Sequence, residues 1–120
     1  NGNNVSVNMY VPGALTVGTA PTYSRVPYDM TLAFVRIGVS DVPGGDVIVT
    51  DVKYHATDPS AAVSLGGTLA SIADGAYSAD SGTPDTIYLK HGGWLLPVIN
   101  TVGSGTAGSN LTIELLEAPV

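Results

Sequence analysis

"NLTIELLE", residues 110–117, alternates Leu111, Ile113 and Leu115 with Thr112 and Glu114. A period of two sends successive side chains to opposite faces, so this run reads as a half-buried β-strand with an apolar face and a polar one. The residues before it, "VGSGTAGS" at 102–109, are small and uncharged. They read as a turn into the last strand, where a Gly or Asn110 can take positive φ.

Working outward, "TLAFVRIGV" (31–39) carries Val35, Ile37 and Val39 on one side and Phe34 and Arg36 on the other. It stops at "SDVPGGD" (40–46), where Pro43 fixes φ and the two glycines permit a reversal. "DVIVTDVKYH" (46–55) then reads as a β-branched strand, and the two runs are expected to be neighbours joined by a tight loop. Shorter strand candidates are 5–11, 14–18, 85–91 and 94–102. Pro97 lacks a ladder donor, which predicts an edge or a bulge for the last of these. One or two short strands are expected between His55 and Asp85.

Helix signals are scarce, with Glu only at 114 and 117 and Lys only at 53 and 90. The fold expected is all-β, an antiparallel β-sandwich or jelly roll of about seven to nine strands, since half-apolar sheets must cover each other. The division expected is an N-terminal arm or first strand at 1–11 and a single sandwich domain at 12–120.

Ten acidic residues against four basic ones give a net charge of −6, which disfavours nucleic acid and anionic membrane surfaces as partners. Charged residues are 12% of the chain, about half the usual share. So sparse a coat of charge implies that part of the surface meets other subunits. No apolar run is long enough for a membrane span, and no signal-peptide pattern opens the chain. The absence of an initiator Met suggests processing or an internal start. With no cysteine there is no disulfide and no thiolate zinc site.

Catalytic patterns are missing. His55 and His91 have no spacing that supplies a metal pair, and the loop acids (Asp41 with Asp46; Asp74, Asp80 and Asp85) lack the EF-hand order. "VGSGTAGS" leads into a strand, whereas a nucleophile elbow requires a helix. The reading is a non-enzymatic protein with no catalytic residues, no metal and no cofactor. The sequons at Asn4 and Asn110 read as chance occurrences. Trp94 and the tyrosines could stack on sugar rings, and the candidate contact surface for a partner or glycan is Tyr77, Asp80 and Trp94.

Four stretches in order, "GALTVGT" (13–19), residues 26–53, "IADGAY" (72–77) and "VGSGTAGSNLTIEL" (102–115), resemble a small β-sandwich module of tailed-bacteriophage and prophage virion proteins. The chain departs from that module at 54–71 and at "GGWLLPV" (92–98), where Pro97 interrupts a strand. The resemblance implies a capsid decoration or head-stabilising protein on the outer surface of the phage particle. It implies a homotrimer whose other partners are virion proteins such as the major capsid protein, with 1–11 able to add a strand to a neighbour. The alternative is a tail-tip or tail-fibre module that binds host glycan or a surface receptor.

Overall fold

The computed structural model describes residues 4–20, 22–66, 69–82 and 87–118. In chain order its strands are β1 (Asn4–Ala14), β2 (Gly18–Thr19), β3 (Ser24–Arg25), β4 (Met30–Gly38), β5 (Ile48–His55) and β6 (Val63–Ser64). There follow β7 (Ala70–Ile72), β8 (Ser78–Asp80), β9 (Ile87–Leu89), β10 (Trp94–Thr101) and β11 (Ser109–Glu117). Among the described residues there is no α-helix, only a 3₁₀ turn at Pro59–Ala61. That turn is capped by Asp58, whose carboxylate accepts from Ser60 N–H at 2.9 Å.

The strands form two antiparallel sheets. Sheet A runs β1-β11-β4-β8, with β9 also on β4; sheet B runs β2-β10-β5-β6, with β3 on β10 and β7 on β5. The protein is an antiparallel β-sandwich of jelly-roll type. Leu111, Ile113 and Leu115, the residues that define the sequence pattern, are wholly buried. They meet Val7, Met9, Val35 and Ile37 of their own sheet and Ile48, Val52, Ile72, Leu95 and Ile99 of the other in one core. Each such side chain taken from water contributes about 1.5–3 kcal/mol.

Several expectations need correction. The runs at 31–39 and 46–55 are not paired neighbours: β4 lies between β11 and β8 in sheet A, whereas β5 pairs β10, β6 and β7 in sheet B. The loop at 39–47 therefore crosses from one layer to the other. Both strands carry a buried row, and burial is satisfied equally well by facing across the core as by lying side by side.

Pro97 is not on an edge either, and of the two expectations for its run the irregularity is the one seen, as a register shift between Ile99 and Thr101. β10 is interior, with Pro97 opposite Val52 on one side and its carbonyl accepting from Ala20 N–H at 3.0 Å on the other. Because a strand residue presents N and O to the same side, the missing donor faces the interval between β2, opposite Val98 and Ile99, and β3, opposite Trp94 and Leu95. No ladder bond is required there.

The stretch 14–18 does not form one strand: Ala14 ends β1 and Gly18 opens β2. Among the described residues of 63–80 there are three strands, not one or two. Eleven strands are seen among the described residues because six of them are two or three residues long, too short to register as a period. Asp85 and Thr86, at the start of the expected strand 85–91, lie outside the described residues, as do residues 1–3 of the expected arm. Residues 4–14 pair along β11 of their own chain. The last turn matches its expectation, with Asn110 at φ 59 and Gly108 at φ 91.

Candidate functional site

On the outward face of sheet A three rows cross the strands. Val5, Leu116 and Phe34 make an apolar row; Asn8, Glu114, Arg36 and Asp80 a charged one; Tyr10, Thr112, Gly38 and Ser78 a third. Leu116 is only 4% exposed although it is not part of the core cluster. Beside it the Tyr28 hydroxyl donates to Glu117 Oε1 at 2.5 Å. Tyr10 and Tyr88 stand exposed on the same sheet.

Of the three residues expected to form one contact surface, the structure brings two together and separates the third. Tyr77 precedes β8, and its carbonyl accepts from Val39 N–H at 2.9 Å; Asp80 ends β8 and pairs with Arg36 at 3.1 Å. Trp94 belongs to sheet B, after the turn that follows β9. That turn lies at the other end of β4, where Leu89 faces Met30 and Asp29 accepts from His91 N–H at 2.7 Å. Nine strand residues separate the two ends, about 30 Å.

Trp94 has different companions. In register it lies between Arg25 of β3 and His55 of β5. The Arg25 guanidinium carbon sits 4.0 Å over the Trp94 ring, and the Tyr23 ring centroid is 5.0 Å away at a tilt of 48°. Arg25 is held from below by the turn: its Nε and Nη2 both donate to the Gly92 carbonyl, at 2.8 and 2.6 Å. His55 is a structural acceptor, its Nδ1 taking the backbone N–H groups of Thr57 and Asp58 at 3.1 and 2.9 Å. Tyr23 is one of the tyrosines the sequence offers for stacking on sugars, but nothing read from the sequence singles out Arg25 or links either residue to Trp94. The signal available was Tyr-x-Arg, two residues that share a face in any strand, in a segment otherwise too short to recognise.

Charged side chains gather at both ends of the sandwich, and the end with Arg25 and Lys90 also holds Asp29 and Glu117. Asp41, Asp46 and Asp74 lie where the loops around 40–46, 73–75 and 103–108 are bonded together, Gly44 to Thr106 and Gly75 to Pro43. Arg25, Lys53, Lys90 and both histidines lie at the opposite end. Asp58 joins them there, its carboxyl held below the usual range by the Ser60 hydroxyl and the Ser60 N–H, against a smaller desolvation effect, with His55 contributing least.

Two open depressions are present, one lined by Asp29, Met30, Thr31, Tyr88, Leu89 and Lys90, the other by Tyr10, Gly38, Val39, Ser40, Asn110 and Thr112. Neither lining contains a histidine or a pair of carboxylates. Among the described residues no three His, Asp or Glu side chains gather as a metal site, and no helix is long and apolar enough to cross a membrane.

No family model and no curated protein matches the chain. Its fold is shared with solved structures. A protein from Sulfurospirillum deleyianum is similar at a TM-score of 0.54 and 10% identity, over 95% of this chain and 99% of that one. An Eiger TNF from S. frugiperda is similar at a TM-score of 0.52 and 16% identity, over 98% of this chain and 88% of that one. At such identities the likeness defines the class, a jelly-roll β-sandwich, and goes no further.

Proposed function

We propose that this chain is a non-enzymatic structural protein of a tailed-phage virion, a capsid decoration or head-stabilising protein that works as a homotrimer on the particle surface. The observation that carries the reading is the outward face of sheet A. It presents Val5 and half-buried Phe34 on either side of buried Leu116, with Tyr88 exposed on the same sheet and Tyr10 exposed beyond the charged row. Three strands of nine to eleven residues, with the three-residue β8 and β9 both along β4, give a face of roughly 20 by 30 Å, about 600 Å², which is one partner's share of a small specific interface. Binding that occurs only on the assembled shell stabilises the shell by mass action, and this requires no reaction.

The test is the solution mass of the chain and its binding to particles. Three times 12.2 kDa is expected, and Val5→Lys, at a position 44% exposed in the single chain, should release folded monomers. A wild-type chain that stays monomeric at micromolar concentration and does not bind particles would overturn the reading. A second reading, a tail-tip or tail-fibre module for host glycan or receptor, is favoured by exposed Tyr23 and Arg25 gathered on half-buried Trp94. Copy number in the intact particle separates them: many copies mean the head, a handful the tail.

A further inference from the structure

We propose that Tyr23, Arg25 and Trp94, at one end of the outer face of sheet B, form a binding site for a sugar bearing a carboxylate, of the uronic or sialic acid type. The inference holds for either location on a particle.

The first ground is construction. Tyr23, just before β3, and Arg25, within it, both lie against the Trp94 ring, and the pairing of Arg25 with Trp94 sets the guanidinium on the indole. The turn after β9 fixes it further. Gly92 N–H donates to Val26 O at 2.8 Å and Val26 N–H to Gly93 O at 2.9 Å, which ties the turn to the end of β3. A side chain at Gly93 would start 2.5 Å from Tyr54 Cε1 and 3.0 Å from Lys90 O, so the tight approach that delivers the Gly92 carbonyl to Arg25 depends on that glycine. An exposed arginine is ordinarily mobile. This one has its orientation set by a carbonyl and a ring before any ligand arrives, which lowers the ordering cost of binding.

The second ground is charge. The chain has ten carboxylates and four basic side chains, yet among the described residues the one ion pair is Arg36 with Asp80. Arg25 has no carboxylate partner there. Its Nε edge is used by Gly92, and Nη1 with the remaining Nη2 hydrogen stays available for the parallel two-point contact that a carboxylate offers. Across Trp94, His55 accepts through Nδ1, so in the neutral ring the other nitrogen carries the proton and is a donor without a partner among the described residues.

The third ground is shape. Trp94 gives one face to Arg25 and serves as the support. The Tyr23 ring, 59% exposed, is the open apolar wall. Tyr23 and Arg25 lie 5.0 and 4.0 Å from the same Trp94 ring, so one pyranose can lie on Tyr23 while its carboxylate reaches Arg25. A single carboxylate suits a site on a chain of net charge −6, whereas a polyphosphate or nucleic acid would meet the repulsion of the whole molecule.

Trp94 is the sole tryptophan, so its fluorescence reports the site directly. Purified chain is titrated with galacturonic acid, sialyllactose, galacturonic acid methyl ester, maltohexaose and oligoglutamate. Saturable change is expected with a carboxylated sugar and none with the esterified or neutral ones, and the first two arms tell uronic from sialic acid. Arg25→Gln should weaken binding at least tenfold, Tyr23→Ala comparably and Arg25→Lys less, while Arg36→Gln leaves it unchanged; circular dichroism checks that each variant is folded. The proposal fails if neither acidic sugar gives a saturable signal to millimolar concentration. It also fails if neutral sugars or oligoglutamate bind as well, or if folded Arg25→Gln binds like the parent.

Discussion

Replacing Gly108 by alanine puts a methyl group where the backbone has φ 91 and where a Cβ would stand 2.6 Å from Ile48 Cδ1, a side chain wholly inside the core. Two costs add. A non-glycine residue in the left-handed region costs about 1–2 kcal/mol, and forcing an extra methyl into a packed interior costs about 1–3 kcal/mol. Together they predict a loss of about 2–5 kcal/mol, a large part of the 5–15 kcal/mol typical of a domain. Gly75→Ala is the comparison, because Gly75 has φ 78 with nothing within 4 Å of its Cβ. It should lose only the backbone part, about 1–2 kcal/mol. Gly82→Ala, with an open Cβ position and no positive φ, should change stability by less than about 1 kcal/mol. Urea unfolding followed by Trp94 fluorescence at one fixed protein concentration measures all three. With slopes of about 1–3 kcal/mol per molar, the Gly108 midpoint should fall by roughly 1–3 M. A Gly108→Ala chain no less stable than Gly75→Ala would refute the reasoning, since it would mean that the final turn does not lie on Ile48.

Ser81 accepts from Val35 N–H at 2.9 Å and donates to Gly82 O at 3.0 Å; Ser81→Ala strands a buried donor and should cost about 1–3 kcal/mol, with faster hydrogen exchange at Val35. Leu115→Ala removes a fully buried side chain and should cost about 2–5 kcal/mol by denaturant unfolding. Arg36→Gln breaks an ion pair whose side chains are 46% and 52% exposed, and should cost under about 1 kcal/mol at any salt concentration. Asp58 titrates below the ordinary carboxylate range, through Ser60 first; because its folded value is the lower one, its contribution to stability is present above the unfolded value and is lost as pH falls through the folded value. Ser60→Ala should move the Asp58 carboxyl titration, followed by NMR, back towards the ordinary range.

The alternation at 110–117 determined by itself that this chain has a strand with Leu111, Ile113 and Leu115 inward, and the small residues before it determined a turn that Asn110 and Gly108 enter with positive φ. Both are local: one depends on the two-residue period of the pleat, the other on which residues tolerate that backbone. Tertiary structure alone decided that β4 and β5 lie in opposite sheets. An apolar row states only that a face is covered, and a facing layer covers it as well as an adjacent strand extends it. It also decided that Pro97 sits in an interior strand, because the gap between β2 and β3 is set by how the chain returns to β10. The site followed the same division. Trp94 was legible as an unusual residue, but Tyr23 and Arg25 became its neighbours, and Tyr77 and Asp80 did not, through strand pairings among residues far apart in sequence, with energies that depend on the whole packed sandwich.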